Sequence, residues 1–201
     1  MGEPRPHPDR PTRIKPMTLA LTAAGVLAGW TALLPESVRP WNFAAVGAVG
    51  LFAAARLRFG TAVAVVVLAL VVKDAGYYLI RDWSPEPLSW VAFLAYLLVG
   101  RGFLRNTEAP LRIGTGAVLA SLLFFAVSNF GSWLGQALPY GYSFAGLMDC
   151  YRAAIPFYRG TFAGDLAFTG LLFGLHAALS RAYFPAERVA LQPERSPVRP
   201  M

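Results

Sequence analysis

Residues 60–80 read GTAVAVVVLALVVKDAGYYLI. Nothing charged interrupts this run before Lys73 and Asp74. At 1.5 Å per residue an 18-residue helix is roughly 27 Å long, enough to cross a thin bilayer core. The run is therefore expected to be a membrane span. Working outward, further apolar stretches fall at 17–35, 42–57, 88–104, 112–135 and 161–183, the second being the shortest. The expected fold class is all-α: a polytopic membrane helical bundle of about six transmembrane helices, occupying 17–185. The segment 144–158 is amphipathic and contains Pro156, so it is expected at the outer surface or as a partial re-entrant segment.

Composition agrees. Of the 201 residues 56% are hydrophobic and only 14% are charged, where a soluble domain carries about 25%. The flanking segments 1–16 and 186–201 are rich in Pro and Arg with little to bury, and are expected to be disordered cytoplasmic tails. The first apolar stretch is longer than a signal-peptide core, and LLPESVRP after it is a poor cleavage site, so it is expected to remain as a span.

The net charge of +7 does not indicate nucleic acid, because the basic residues sit at segment ends and form no stripe interleaved with aromatics. It sets orientation instead. With the N-terminus inside, the cytoplasmic side receives Arg5, Arg10, Arg13, Lys15, Arg56, Arg58, Arg101, Arg105, Arg112, Arg181, Arg188, Arg195 and Arg199. The outside receives Arg39, Arg81, Arg152 and Arg159, and Lys73 lies within a span. This asymmetry follows the positive-inside rule, supports an even span count, and places both termini in the cytoplasm of a bacterial inner membrane. Trp41, Trp90, Tyr140 and Tyr142 then fall near the outer interface, where amphipathic rings are favoured. No internal repeat of the inverted-transporter kind is visible.

Polar groups inside spans carry the functional information, because burying them in lipid is costly. Asp74 has Tyr77 and Tyr78 three and four residues on, sharing its face. Lys73 is about 100° away around the helix and has a stem long enough to snorkel. Asn129 and Trp133 are at i and i+4, with Gly131 between them permitting close backbone approach. Asp165 and Thr169 are also at i and i+4. Asp74 and Asn129 lie near the ends of outward-running spans, and Asp165 near the start of an inward-running one. All three are thus expected in the outer third of the membrane, around one outward-facing cavity that Tyr77 or Tyr78 completes and Tyr151 covers. Interhelical hydrogen bonds alone would explain the same residues, and Asp165 could instead charge the first turn of its helix.

His176 stands alone and reads as a packed or hydrogen-bonded structural histidine, not a metal ligand. The single cysteine, Cys150, excludes an intramolecular disulfide and a Cys-based metal centre, and it has no evident base. There is no phosphate loop, zinc-protease pair or serine-hydrolase elbow. No enzymatic activity, cofactor or metal is expected, and an enzyme acting on lipid has no motif behind it. Ala20, Ala24 and Ala28 form a four-residue-spaced ridge suited to close helix packing.

Asn129-Phe130-Gly131-Ser132-Trp133, then Cys150-Tyr151-Arg152-Ala153-Ala154-Ile155-Pro156-Phe157, then Gly164-Asp165-Leu166-Ala167-Phe168-Thr169 together form a marker. On it the chain resembles the DUF6580 family, uncharacterised bacterial six-span proteins placed among transport proteins. The resemblance runs from about the second span to the end of the sixth. Ala44-Ala45 replaces a Ser-Pro pair associated with the family's second span. In size and layout such proteins are similar to the S components of energy-coupling-factor (ECF) vitamin transporters. Those bind a small molecule from outside and dock on a separate membrane and ATPase module. The likeness implies that the Ala20, Ala24, Ala28 ridge is a docking surface. Two functions are therefore carried forward. One is a small-molecule uptake component with a site between spans three, five and six. The other is a non-transporting accessory or assembly protein embedded in membrane lipid.

Overall fold

The computed structural model describes residues 15–35, 38, 42–81, 87–135 and 139–189. Most of the expected tails 1–16 and 186–201, namely 1–14 and 190–201, and the interface residue Trp41 lie outside the described residues, while Pro16 opens α1 and Glu187 closes a 3₁₀ turn. Among those described there are six α-helices and no strand: α1 (Pro16–Gly29), α2 (Val46–Arg56), α3 (Phe59–Arg81), α4 (Pro87–Phe103), α5 (Pro110–Leu134) and α6 (Phe144–Ala182). Short 3₁₀ turns follow α1 at Trp30–Leu33 and α6 at Pro185–Glu187. The all-α class is as expected. Three helices, α3, α5 and α6, are long and apolar enough to cross a membrane, while α1, α2 and α4 are shorter apolar helices.

Local chemistry explains several boundaries. Pro16 and Pro110 sit in the first turns of α1 and α5, where a missing N–H costs nothing. Ser143 caps α6 by accepting from the Gly146 N–H at 3.0 Å. α2 is shorter than the 42–57 stretch suggests, because Asn42 takes a positive φ of 55° and residues 43–45 are not helical.

α2 is the axis of the molecule. All of its residues are buried, and it packs against α1, α3, α4, α5 and α6. Its sequence VGAVGLFAAAR has no polar face before Arg56, as expected of a helix surrounded by protein. Val49, Leu51 and Phe52 are fully enclosed and meet Leu70, Tyr96, Leu104 and Phe173 in one core. The outer faces stay apolar: Leu68, Leu79, Leu94, Leu98, Leu111, Leu122 and Leu171 are all exposed.

The segment 144–158 is not a separate surface element. It is the first part of α6, a continuous helix of 39 residues, about 58 Å long and longer than the roughly 30 Å hydrocarbon core. Pro156 lies inside it, depriving the Arg152 carbonyl of its usual donor. The helix runs on because its aromatic side is held by α5. Phe125 stacks on Tyr151 and Tyr158 at 5.6 and 4.6 Å, and the Tyr151 hydroxyl donates to the Ala126 carbonyl at 2.6 Å.

One end of the bundle is tied by charge. Arg56 donates from Nη1 to the Leu104 and Arg105 carbonyls at 3.0 and 3.2 Å and from Nη2 to Thr107 at 2.7 Å. Its guanidinium lies 4.7 Å from the Phe173 ring centroid. Lys15 Nζ donates to the Arg56 carbonyl at 3.2 Å, and Arg181 pairs with Glu108 at 2.7 Å. Glu187 reaches back to cap α1, accepting from the Met17 and Thr18 N–H groups at 2.9 Å each and from the Thr18 hydroxyl at 2.7 Å. Burial alone would raise the Glu187 carboxyl, but these three donors outweigh it and hold it below its ordinary value of 4.5. Lys15 is lowered, first by burial and then by the Arg56 charge.

Candidate functional site

The deepest carboxylate is Asp165 on α6, 2% exposed. It lies about six turns into that helix, which begins at Phe144, so it caps no N-terminus. Tyr96 of α4, 1% exposed, donates its hydroxyl to Asp165 Oδ2 at 2.5 Å. Two glycines make the space. A Cβ on Gly47 of α2 would fall on the Asp165 carboxylate and the Tyr96 ring. One on Gly164 would sit 3.0 Å from the Ala44 backbone. The pair therefore stands where α2, α4 and α6 come closest.

Ser121 of α5 and Tyr158, two turns before Asp165 on α6, stand beside the pair and interact electrostatically with it. The Ser121 and Tyr158 hydroxyls are both buried and make no close hydrogen bond among the described residues, although Ser121 stands near enough to Asp165, Tyr96 and Tyr158 to act on each as a weak hydrogen-bonding neighbour. Asp165 forms no ion pair with a described Lys or Arg. A bundle interior ordinarily satisfies its polar atoms. Here a carboxylate and two hydroxyls that make no close hydrogen bond converge, and each keeps capacity to bond a polar group. Aromatic rings climb from this point toward the α5–α6 connection. Tyr158 meets Phe162 at 5.8 Å and Phe125 at 4.6 Å, and Phe125 meets Tyr151. Beyond them Phe130 meets Trp133, and Trp133 meets Tyr142 edge-on at 5.9 Å.

The remaining sequence candidates are distributed unevenly. Asn129, Trp133 and Tyr151 come together on the α5–α6 face, each with a local bond. Asn129 Nδ2 donates to the Phe125 carbonyl at 2.8 Å. Trp133 Nε1 donates to the Gly141 carbonyl at 3.0 Å. The buried Cys150 thiol approaches the Asn129 carbonyl at 3.5 Å. Asp74 lies elsewhere, between α3 and α4, accepting from Trp90 Nε1 at 2.6 Å and pairing with Lys73 at 2.6 Å. Lys73, about 100° around the helix from Asp74, meets it by folding back on its long stem and lies 5.7 Å from the Tyr77 ring centroid. Tyr78 is exposed.

Asp74 and Asp165 are therefore held by different partners on different helices. α3 packs on α1, α2 and α4, and α6 on α1, α2 and α5. Nor do the candidates share one depth. Asp165 is level with Ser121, eight positions and about 12 Å along α5 from Asn129. The outer-third placement rested on starting the sixth span at 161. His176 is fully buried edge-on to Phe52 at 5.6 Å, with neither ring nitrogen hydrogen-bonded among the described residues.

Tyr96, Ser121 and Tyr158 were missed. The available signal was weak: one tyrosine in the otherwise apolar FLAYLLVG of α4, whose hydroxyl needs a partner once buried.

The model of a family of unknown function, DUF6580, matches residues 12–190. The chain belongs to the DUF6580 family. No curated protein and no solved structure matches this DUF6580 chain. The match covers all six helices, so the Asp165–Tyr96 pair and the charge-tied end both lie within the family region.

Proposed function

We propose that this DUF6580 protein is a small-molecule uptake component of the bacterial inner membrane, with six spans and both termini cytoplasmic. The site is the Asp165 centre among α2, α4, α5 and α6, approached from outside along the aromatic rings of α5 and α6. One observation carries the reading: a buried carboxylate held by one close tyrosine, beside two buried hydroxyls that make no close hydrogen bond. Intramembrane carboxylates are costly and mark solute or ion pathways, and spare hydrogen-bonding capacity is what a bound solute would complete. The orientation is supported by the basic residues at the charge-tied end, where Lys15, Arg56, Arg105, Arg181 and Arg188 gather. The chain has no nucleotide-binding motif, so energy for uphill transport would come from an ion gradient or a separate membrane and ATPase module, as in ECF transporters. Ala20 and Ala24 face away from the bundle on α1, while Ala28 is half-buried, and this side is available for such a module.

The test is a thermal-shift screen of the purified protein against water-soluble metabolites and vitamins. A stabilising compound is expected whose effect is lost in Asp165→Asn while the variant still inserts and unfolds cooperatively. Equal stabilisation of the variant, or no stabilising compound, would count against the proposal. The accessory-protein reading draws on a different observation: Asp74, Asn129 and Trp133 are each already bonded within the protein, as groups that only hold helices together would be.

A further inference from the structure

Charge narrows what the Asp165 centre can hold. Asp165 is 2% exposed and forms no ion pair with a described Lys or Arg. The side chains that interact with it, Tyr96, Ser121 and Tyr158, are all neutral. Arg159, six positions before it on α6, is exposed. The buried Arg56 stands at the tied end, where it acts on His176, eleven positions and about 16 Å along α6 from Asp165. A buried carboxylate without a counter-cation is costly. An incoming anion adds like-charge repulsion, and a neutral solute leaves the carboxylate unpaired. A cation relieves the cost.

The hydrogen-bonding groups point the same way. Asp165 Oδ2 accepts from Tyr96, and a carboxylate accepts more than one hydrogen bond. The Ser121 and Tyr158 hydroxyls make no close hydrogen bond among the described residues, and each has lone pairs to offer. A protonated primary amine carries three N–H donors, one for each of these three residues. The rings are the third observation. Phe124 and Phe125 follow Ser121 by three and four positions, so they adjoin it on one face of α5. Phe124 lies 5.6 Å from the Tyr96 ring, and Phe125 lies 4.6 Å from the Tyr158 ring. Aromatic faces attract a cation within about 6 Å.

We propose that the solute of this centre is a small organic cation. It is a protonated amine whose ammonium head seats on Asp165, Ser121 and Tyr158 and whose carbon body lies against Phe124 and Phe125. This rests on the uptake reading and assigns its substrate class.

The test uses phenethylamine, phenylethanol and phenylacetate, which share a ring and differ in the head. Full-length protein in lipid nanodiscs is melted against a concentration series of each at pH 7, where the amine is cationic and the acid anionic. Phenethylamine is expected to stabilise the protein with an affinity about tenfold or more above the alcohol and the acid. Asp165→Asn is expected to abolish that preference. Tyr158→Phe, which keeps the ring and removes only the hydroxyl, is expected to weaken amine binding severalfold, and it carries the test if Asp165→Asn does not insert. Alcohol or acid binding as tight as the amine's, and lost in Asp165→Asn, overturns the cationic class and leaves uptake standing. The same holds if phenethylamine has no effect and the wider metabolite screen yields a neutral or acidic ligand that needs Asp165. Amine binding that both variants retain in full overturns the assignment of the head to this centre. If neither these compounds nor the screen stabilises the protein, the uptake reading falls with it.

Discussion

The charge-tied end of the bundle and the Asp165 centre both bury polar groups, and they do so in opposite ways. At the tied end most of the capacity is used: Arg56 spends its Nη donors on three carbonyls, its Nε alone staying without a partner among the described residues, and Glu187 accepts three hydrogen bonds. At the centre, Asp165 has one close hydrogen bond, from Tyr96, and the Ser121 and Tyr158 hydroxyls beside it make none of ordinary geometry among the described residues. The first arrangement fixes helices in place. The second leaves hydrogen-bonding capacity open, which is where the proposed solute would bind.

That contrast is open to attack, beginning with its strongest element. Arg56→Leu strands the Leu104, Arg105 and Thr107 carbonyls. With hydrogen bonds to charged groups worth about 1.5–3 kcal/mol each and not additive, a loss of roughly 3 kcal/mol or more is expected, measured by unfolding in detergent. An unchanged midpoint would end the view of this end as a fastening.

Glu187→Gln should cost less, about 1–2 kcal/mol for a weakened helix cap. It also carries a pH signature. Glu187 is held below its ordinary value of 4.5, so its contribution is fully present above that value and is lost as pH falls through the lower, folded-state one. The wild type should lose the difference from Glu187→Gln as pH drops below about 4.5. A gap constant from pH 7 to pH 3 would contradict this.

The smallest effect is the sharpest. Ser121→Ala removes a hydroxyl that makes no close hydrogen bond but neighbours Asp165, Tyr96 and Tyr158, so it should cost the empty protein no more than about 1 kcal/mol while weakening binding of any stabilising solute by about 1–3 kcal/mol. A large loss of stability without solute would make Ser121 a fastening too.

Much of the fold could be read from the chain. The runs at 60–80, 88–104 and 112–135 lie within a few residues of α3, α4 and α5, because an uninterrupted apolar stretch has few alternatives to a helix. The join of 144–158 to the last helix was hidden. Proline normally stops a helix, and the Phe125, Tyr151 and Tyr158 contacts that carry the chain past Pro156 exist only after α5 has packed. Asp165 stood out as a carboxylate in an apolar run. Its partner Tyr96 did not, since a tyrosine in a span reads equally well as core. Glu187 fell in a segment whose composition reads as tail, and no local pattern announces a cap for a helix at the other end of the chain.

That cap also sets an order of events in biosynthesis. Glu187 is bonded to Met17 across 170 residues of sequence, and a ribosome adding about 5–20 residues per second needs roughly 10–30 s to make that interval. Throughout that time the N–H groups in the first turn of α1 are without the Glu187 cap. The bundle is therefore closed at this end only when the last helix has been delivered, and a chain released before residue 187 would carry its helices yet remain unlatched, a form that membrane quality control could recognise by its open end.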